Sequence, residues 1–276
     1  MTWLSAQTVS TWDGTAAIWT QGSGTQADPY LIETAQNLAW ISEMVNNGVA
    51  KYNGVWFKLT SDLNMRNIAW VPIGNSTTNC FCGKFDGANH FIDSISVTGG
   101  YTYKGLFGIT GAGFRCENLG VNTNVTSTGN NSGGIVGYVK GANSVIMNCY
   151  NTGTLKGSCV GGIVGYNNAT GIQIISCYNA NTGTINSSYC SGGIIGKNEG
   201  SVSIYKCFNE ANLYSSKSAS SFSVETNCGG IVACNVASSS ATISDCYNTG
   251  TLSSTSYNST SSSSYSYALG RCPFLS

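Results

Sequence analysis

Along this chain apolar residues come in short runs bounded by glycine or by Asn, Ser and Thr, and the same runs return at intervals. One run reads Gly133-Gly-Ile-Val-Gly-Tyr138 and reappears as Gly161-Gly-Ile-Val-Gly-Tyr166, Gly192-Gly-Ile-Ile-Gly-Lys197 and Gly229-Gly-Ile-Val-Ala-Cys234. Gly105-Leu-Phe-Gly108 is a looser relative upstream, and Tyr267-Ala-Leu-Gly-Arg271 a degraded one downstream. A second run, Cys149-Tyr-Asn-Thr-Gly153, returns as Cys177-Tyr-Asn179, Cys207-Phe-Asn209 and Cys246-Tyr-Asn-Thr-Gly250, with Cys116-Glu-Asn-Leu-Gly120 as its earliest relative. From Gly105 through Gly134, Gly162, Gly193 and Gly230 the steps are 29, 28, 31 and 37 residues. Within these copies apolar residues never follow helical spacing, so each unit is a set of short strands. A fixed period of this size marks stacked supersecondary units.

About thirty residues with three short strands and three turns is one coil of a parallel β-helix, in which each coil pairs with the next at roughly 4.8 Å. Equivalent residues then stack into ladders. Ile146, Ile174, Ile204 and Ile243 are expected to form one inward ladder, and Ile135, Ile163, Ile194 and Ile231 another. Cys149, Cys177, Cys207 and Cys246 are repeat-equivalent, and Cys159, Cys190 and Cys228 form a second set before the glycine pairs. Cysteine behaves as a small hydrophobe, so buried free-thiol ladders are the first expectation and disulfides between coils the second. Gly134, Gly162, Gly193 and Gly230 suit positions that need positive φ or a corner too tight for a Cβ.

Three zones follow. Residues 1–54 read as an N-terminal cap, with Trp3, Trp12 and Trp19 folding over an apolar edge. The cap holds a helix over 34–47: Leu38, Ile41, Met44 and Val45 keep helical spacing, Thr34 can cap the start and Gly48 end it. Such a helix would serve as a lid on the first coil. Residues 55–100 read as irregular first coils, with strands over 55–59, 70–74, 81–85 and 90–97 and a turn at Asp86-Gly87. Residues 101–276 read as regular coils interrupted by a Ser-rich loop at 253–264, all in one continuous domain.

Composition narrows the function. Twelve basic and twelve acidic residues make up 9% of the chain, which gives no electrostatic footprint for nucleic acid or an anionic membrane. No apolar run reaches the length of a membrane span, and Met1-Thr-Trp-Leu lacks the start of a signal peptide.

The run Gly24-Thr-Gln-Ala-Asp-Pro-Tyr-Leu-Ile32, the following Ala-Gln-Asn-Leu-Ala segment, Leu59-Thr-Ser-Asp-Leu63, Trp70-Val-Pro-Ile-Gly74, Phe85-Asp-Gly-Ala-Asn-His90 and the Gly-Gly-Ile-Val-Gly series resemble the GLUG-motif repeat family. The resemblance spans most of residues 24–251. It implies a right-handed β-helix outside the cell, of the kind found in bacterial surface and adhesin-like proteins and in non-catalytic regions of immunoglobulin A-cleaving metallopeptidases. It implies no catalytic residues, because the shared motif is one of glycines and aliphatics. The denser cysteine ladder and the Ser-rich segment depart from the family.

Glycosidic hydrolysis asks for two facing carboxylates. Asp86 and Asp93 are the pair that adjacent strands would bring together, but Asp86 sits in a turn where its side chain bonds local backbone. His90, the single histidine, has no nucleophile motif beside it and reads as packed at a turn. Cys80-Phe-Cys82 has a spacing too short for a structural zinc site, and neither a metal nor a cofactor is expected. Recognition remains. Tyr150, Tyr178, Phe208 and Tyr247 would stack as an aromatic file able to meet sugar or protein if exposed, with Tyr101, Tyr103, Tyr138 and Tyr166 as further aromatic candidates. Thr152-Gly-Thr154, Thr182-Gly-Thr184 and Thr249-Gly-Thr251 suggest an ice-ordering threonine file, interrupted at Asn209-Glu-Ala-Asn212 and better explained by turns. Asn-x-Ser/Thr sequons at Asn75, Asn124, Asn130, Asn168, Asn186 and Asn258 are what this composition yields by chance.

The expectation is therefore a non-enzymatic extracellular or cell-surface domain for adhesion or ligand presentation, meeting a glycan or protein of a host or neighbouring cell. The alternatives are a glycosidase or lyase on the same scaffold, or a structural protein that self-associates through its C-terminal edge.

Overall fold

A parallel strand is stabilised only when a neighbour runs beside it in register, and here the neighbour is the same segment of the next coil. The computed structural model describes residues 9–126, 131–219, 226–258 and 261–265. They form a parallel β-helix of about six turns with one helix.

Each coil contributes to three faces. The first carries, among others, Phe91–Val97, Arg115–Val125, Val145–Asn151, Ile172–Ile175, Ser201–Tyr205 and Ser240–Ser244. The second carries Phe107–Thr110, Val136–Val139, Val164–Asn167, Ile195–Asn198 and Val232–Asn235. The third includes Leu155–Gly161, Thr184–Gly192, Asn212–Ala219 and Leu252–Asn258. Registers follow the repeat: Ile146 faces Ile174, which faces Ile204, which faces Ile243. Ile146, Ile174 and Ile204 are enclosed, as are Ile135, Ile163 and Ile194.

The expected ladders need four corrections. Ile243 is in register but 44% exposed, because Ser240–Ser244 is the last strand of its face and no rung lies above it among the described residues. Ile231 and Cys246, on the same last coil, are half-buried for the same reason. Cys116, the earliest repeat relative of Cys149, is out of register with it: Cys116 pairs with Ile146, and Leu119 holds the Cys149 position. The corner fixes this offset, since Asn118 and Asn148 are left-handed residues that each precede the inward Leu119 or Cys149. Cys228 pairs with Ser191, while Asn227 stands opposite Cys190, so Cys228 leaves the file of Cys159 and Cys190 and turns inward.

Gly134, Gly162, Gly193 and Gly230 are not at positive φ. Their requirement is space. A Cβ on Gly162 would lie 2.2 Å from the Gly193 carbonyl oxygen and 2.5 Å from the Asn179 Cβ, and the other three make equivalent approaches to Asn151, Asn209 and Asn248.

Those asparagines are a feature that the repeat did not announce. Asn151, Asn179 and Asn209 are buried, and each amide donates to the next: Asn151 to Asn179 at 3.2 Å, Asn179 to Asn209 at 3.1 Å, Asn209 to Asn248 at 2.6 Å. A second ladder runs Asn167 to Asn198 to Asn235, each step 2.7 Å. A buried carboxamide is tolerable only with its donors and acceptors engaged, and stacking identical coils supplies a partner on both sides.

The N-terminal coils are filled largely by Phe57, Trp70, Phe81, Phe85, Phe107 and Phe114 in place of aliphatics. The helix α1, Ala35–Asn46, closes this end. Thr34 accepts from the Asn37 backbone N–H while Asn37 Oδ1 accepts from the Thr34 N–H, a reciprocal cap. Leu38, Ala39, Ile41 and Val45 join the core, and Ser42 and Asn46 donate to the Val71 and Pro72 carbonyls. Trp12 packs edge-on against Trp70, and Trp19 lies on Tyr30 and Phe57. Trp3 lies outside the described residues.

Strands form over Trp56–Leu59, Lys84–Asp86 and Phe91–Val97, with single bridges at Ala69, Ile73 and Phe81. The Ser-rich segment read as a loop is instead structured. Leu252–Asn258 continues the third face beside Asn212–Ala219, and Ser261–Tyr265 turns back antiparallel on it. Serine and threonine alternate well enough to pair as strand without an apolar signature. The degraded copy at Tyr267 to Arg271 lies outside the described residues.

Candidate functional site

The aromatic file forms as the register requires. Tyr150 stacks on Tyr178 at 4.8 Å between ring centroids, Tyr178 on Phe208 at 4.7 Å and Phe208 on Tyr247 at 4.9 Å, with planes within 6° of parallel. Its residues are half-buried. The file also has a member absent from the sequence reading. Gly120 occupies the aromatic position of its coil, and across that gap Phe91 stacks on Tyr150 at 5.9 Å. A side chain at position 120 would enter both rings, since a Cβ there would lie 2.3 Å from Tyr150 and 2.6 Å from Phe91. Only the offset of Gly120 from Leu119 could have signalled this.

Stacking has a chemical consequence. Within the file the rings turn their faces toward one another and their edges toward solvent, so a sugar meets edges and hydroxyls there and not an open aromatic face. Burial first, and the Asp62 carboxylate second, hold the Tyr150 phenol above its ordinary range.

Beside Phe91 the surface opens into a groove of about 510 Å³ lined by Phe91, Asn122, Asn124, Thr152, Thr154 and Thr182. Its polar groups are ordered by one another. Asn122 donates to Asp93 and Asn124 to Asn122, both at 2.9 Å; Asn124 accepts from the Thr154 N–H at 3.0 Å. Thr182 Oγ1 donates to the Thr152 carbonyl at 3.0 Å. Three of the threonines read as a broken file, Thr152, Thr154 and Thr182, thus line a groove with an aromatic edge at one flank. Turn geometry brings Thr152 and Thr182 to the same corner of successive coils.

The carboxylates of this region are engaged. Asp86 accepts from the Ala88 N–H at 2.8 Å and from Asn118 at 3.0 Å. Asp62 accepts from the Phe91 N–H and meets His90 Nδ1, each at 3.0 Å. His90 is therefore in a His–Asp contact beside the aromatic file, which the sequence reading did not anticipate because Asp62 lies 28 residues away.

Tyr101 packs against the main core, whereas Tyr103, Tyr138 and Tyr166 stack in a second file at 4.6 Å and 4.8 Å with Cys80, Cys82 and Ile109 around it. Tyr166 donates to Glu199, which also pairs with Lys197. Cys149, Cys177 and Cys207 are enclosed thiols. Among the described residues no group of three or more His, Cys, Asp or Glu is placed to hold a metal ion. No helix among them is long and apolar enough to cross a membrane.

No family model matches the chain. It is 32% identical over 160 residues, 53% of its length, to halomucin of Haloquadratum walsbyi. It is 33% identical over 106 residues, 38% of its length, to a protein of Evansella cellulosilytica provisionally named a Gly-rich membrane protein. The chain spans only 2% and 12% of those two relatives. A crystal structure from Bacteroides ovatus, provisionally named an immunoglobulin A1 protease, superposes with a TM-score of 0.61 over 92% of this chain and 85% of that one at 23% identity. That likeness is one of fold.

Proposed function

We propose that this chain is a non-enzymatic β-helix domain of an extracellular or cell-surface protein, and that it binds a glycan chain or an extended protein segment lying along its coils. The groove at Phe91 carries the reading. Amides and hydroxyls fixed by one another, next to an aromatic edge, are what a neutral polyhydroxylated or amide-rich polymer meets with least reorganisation. Low charge favours a neutral polymer over a polyanion. The carboxylates that a glycosidase would use are committed to backbone and amide partners here. Relatives named halomucin and Gly-rich membrane protein support a place at the cell boundary, and the GLUG-like motifs support the same adhesin-like setting.

A glycan and matrix-protein array with the purified domain tests this, alongside two variants of verified fold. Thr154→Arg/Thr182→Arg obstructs the groove, and Tyr150→Ala/Tyr178→Ala interrupts the file. Saturable binding weakened at least about tenfold by the groove variant is expected, equivalent to roughly 1.4 kcal/mol. Binding that neither variant alters, or no binding to any polymer, overturns the reading. A second reading, end-to-end self-association, is favoured by the exposed Ile243 rung. Growth of scattering mass with concentration would support it, and a monomer throughout would remove it.

A further inference from the structure

Cys116, Cys149, Cys177, Cys207 and Cys228 belong to the core of the solenoid, whereas Cys80 and Cys82, like Cys159 and Cys190, stand outside it. Phe81 is fully enclosed, so alternation turns both flanking thiols outward onto the second face. There they share a small apolar cluster with Ile109 and Tyr138, separate from the main core, and keep 7% and 6% exposure. The two sulfurs lie 3.9 Å apart. The surface beneath them is hollowed to fit: a Cβ on Gly111 would stand 2.3 Å from Cys82 Sγ and 2.9 Å from Cys80 Sγ. Glycine at 111 is thus what admits both sulfurs at once. A disulfide needs about 2.05 Å between sulfurs, so the pair stands in contact as two free thiols.

We propose that Cys80 and Cys82 form a redox-active dithiol on the outer surface of the β-helix, with Cys80 the attacking sulfur and Cys82 the resolving one. The partner is a small-molecule disulfide. The Cys80 thiolate attacks one sulfur of that disulfide, forming a mixed disulfide and expelling one thiolate. Cys82 then loses its proton to solvent and attacks Cys80 Sγ, closing the intrachain disulfide and expelling the second thiolate. The protein gives up two electrons, and the small disulfide takes them to become two thiols.

The surroundings suit these roles. A hydrogen bond from Cys82 is the largest influence on Cys80; burial opposes it, and Lys51 and Lys140 reinforce it, leaving Cys80 lowered to about 6. The same contact and burial push Cys82 up. Lys84, which donates to the Gly113 carbonyl, is a further cation near Cys82. The inner thiols Cys116 and Cys149 approach as closely, at 3.8 Å, but are fully enclosed and out of reach of any reagent.

The test treats the reduced full chain with oxidised glutathione and maps peptides without reduction. The peptide holding Cys80 and Cys82 is expected to lose the mass of two hydrogens before the enclosed thiols Cys116, Cys149, Cys177 and Cys207 react. Cys82→Ser, of unchanged circular dichroism, should stop at a glutathione adduct on Cys80, and Cys80→Ser should slow the first capture at neutral pH at least about tenfold. In wild type the capture rate should fall as pH drops through about 6, where Cys80 takes up its proton. Absence of the Cys80 adduct in Cys82→Ser, or reaction of the pair no faster than the inner thiols, overturns the assignment.

Discussion

Asn179 donates to Asn209, accepts from Asn151, and holds its Cβ against the bare Cα of Gly162. Removing such a group strands partners on both sides. Asn179→Ala should cost about 2–4 kcal/mol in denaturant unfolding, because an unmet buried polar group carries its full desolvation penalty. Thr182→Ala, at the exposed end of the groove, should stay within about 0.5 kcal/mol. At this scale the apolar residues were legible and the polar core was not. Isoleucine and cysteine at a repeated offset state burial directly, whereas asparagine after Cys-Tyr reads as a turn residue. The signal was still there: Asn167, Asn198 and Asn235 each lie at one offset from the glycine pair. The aromatic file was legible for Tyr150, Tyr178, Phe208 and Tyr247, while Phe91 was not, since it enters only through the gap at Gly120.

Strands in this fold are defined by their corners. One corner recurs as Asn118, Asn148, Ser176, Lys206 and Asp245, all left-handed at φ between 52° and 53°. Asparagine and aspartate tolerate that region, but serine and lysine are strained in it. Ser176→Gly is expected to stabilise the fold by up to about 1 kcal/mol, since relief of strain exceeds the added freedom of the unfolded chain. The other corner behaves oppositely. Gly162→Ala should cost at least about 3 kcal/mol or abolish folding, as its methyl would enter the Gly193 carbonyl and Asn179. Thermal unfolding of the two variants checks both signs. The glycine corners were plain in the sequence; the left-handed corner was hidden because no single residue type marks it. That concealment is why Cys116 aligned with Cys149 by letter but with Ile146 in space. The helix was legible to within a residue of its caps because Thr34 carries start chemistry and Gly48 stop chemistry.

At the scale of the molecule, identical positions differ only by how many coils lie beyond them. Ile174 and Ile243 occupy one ladder, yet the first is enclosed and the second is 44% exposed. Ile174→Ala should therefore cost about 2–5 kcal/mol and Ile243→Ala less than about 1 kcal/mol, a contrast that urea midpoints would show. The whole-molecule plan was the most legible level, since a period near thirty residues leaves few architectures. The Ser-rich extension was the exception, because a strand of serine and threonine carries no apolar alternation to read.

The bonds that join one coil to the next, backbone and asparagine alike, run along the long axis of the solenoid. A pull on its two ends therefore loads every coil interface in series, and the weakest yields first. Each coil set free pays out about 100 Å of chain, roughly thirty residues at 3.3–3.6 Å each. Under load such a domain behaves as a tether that lengthens in steps, absorbing work coil by coil before the connection parts.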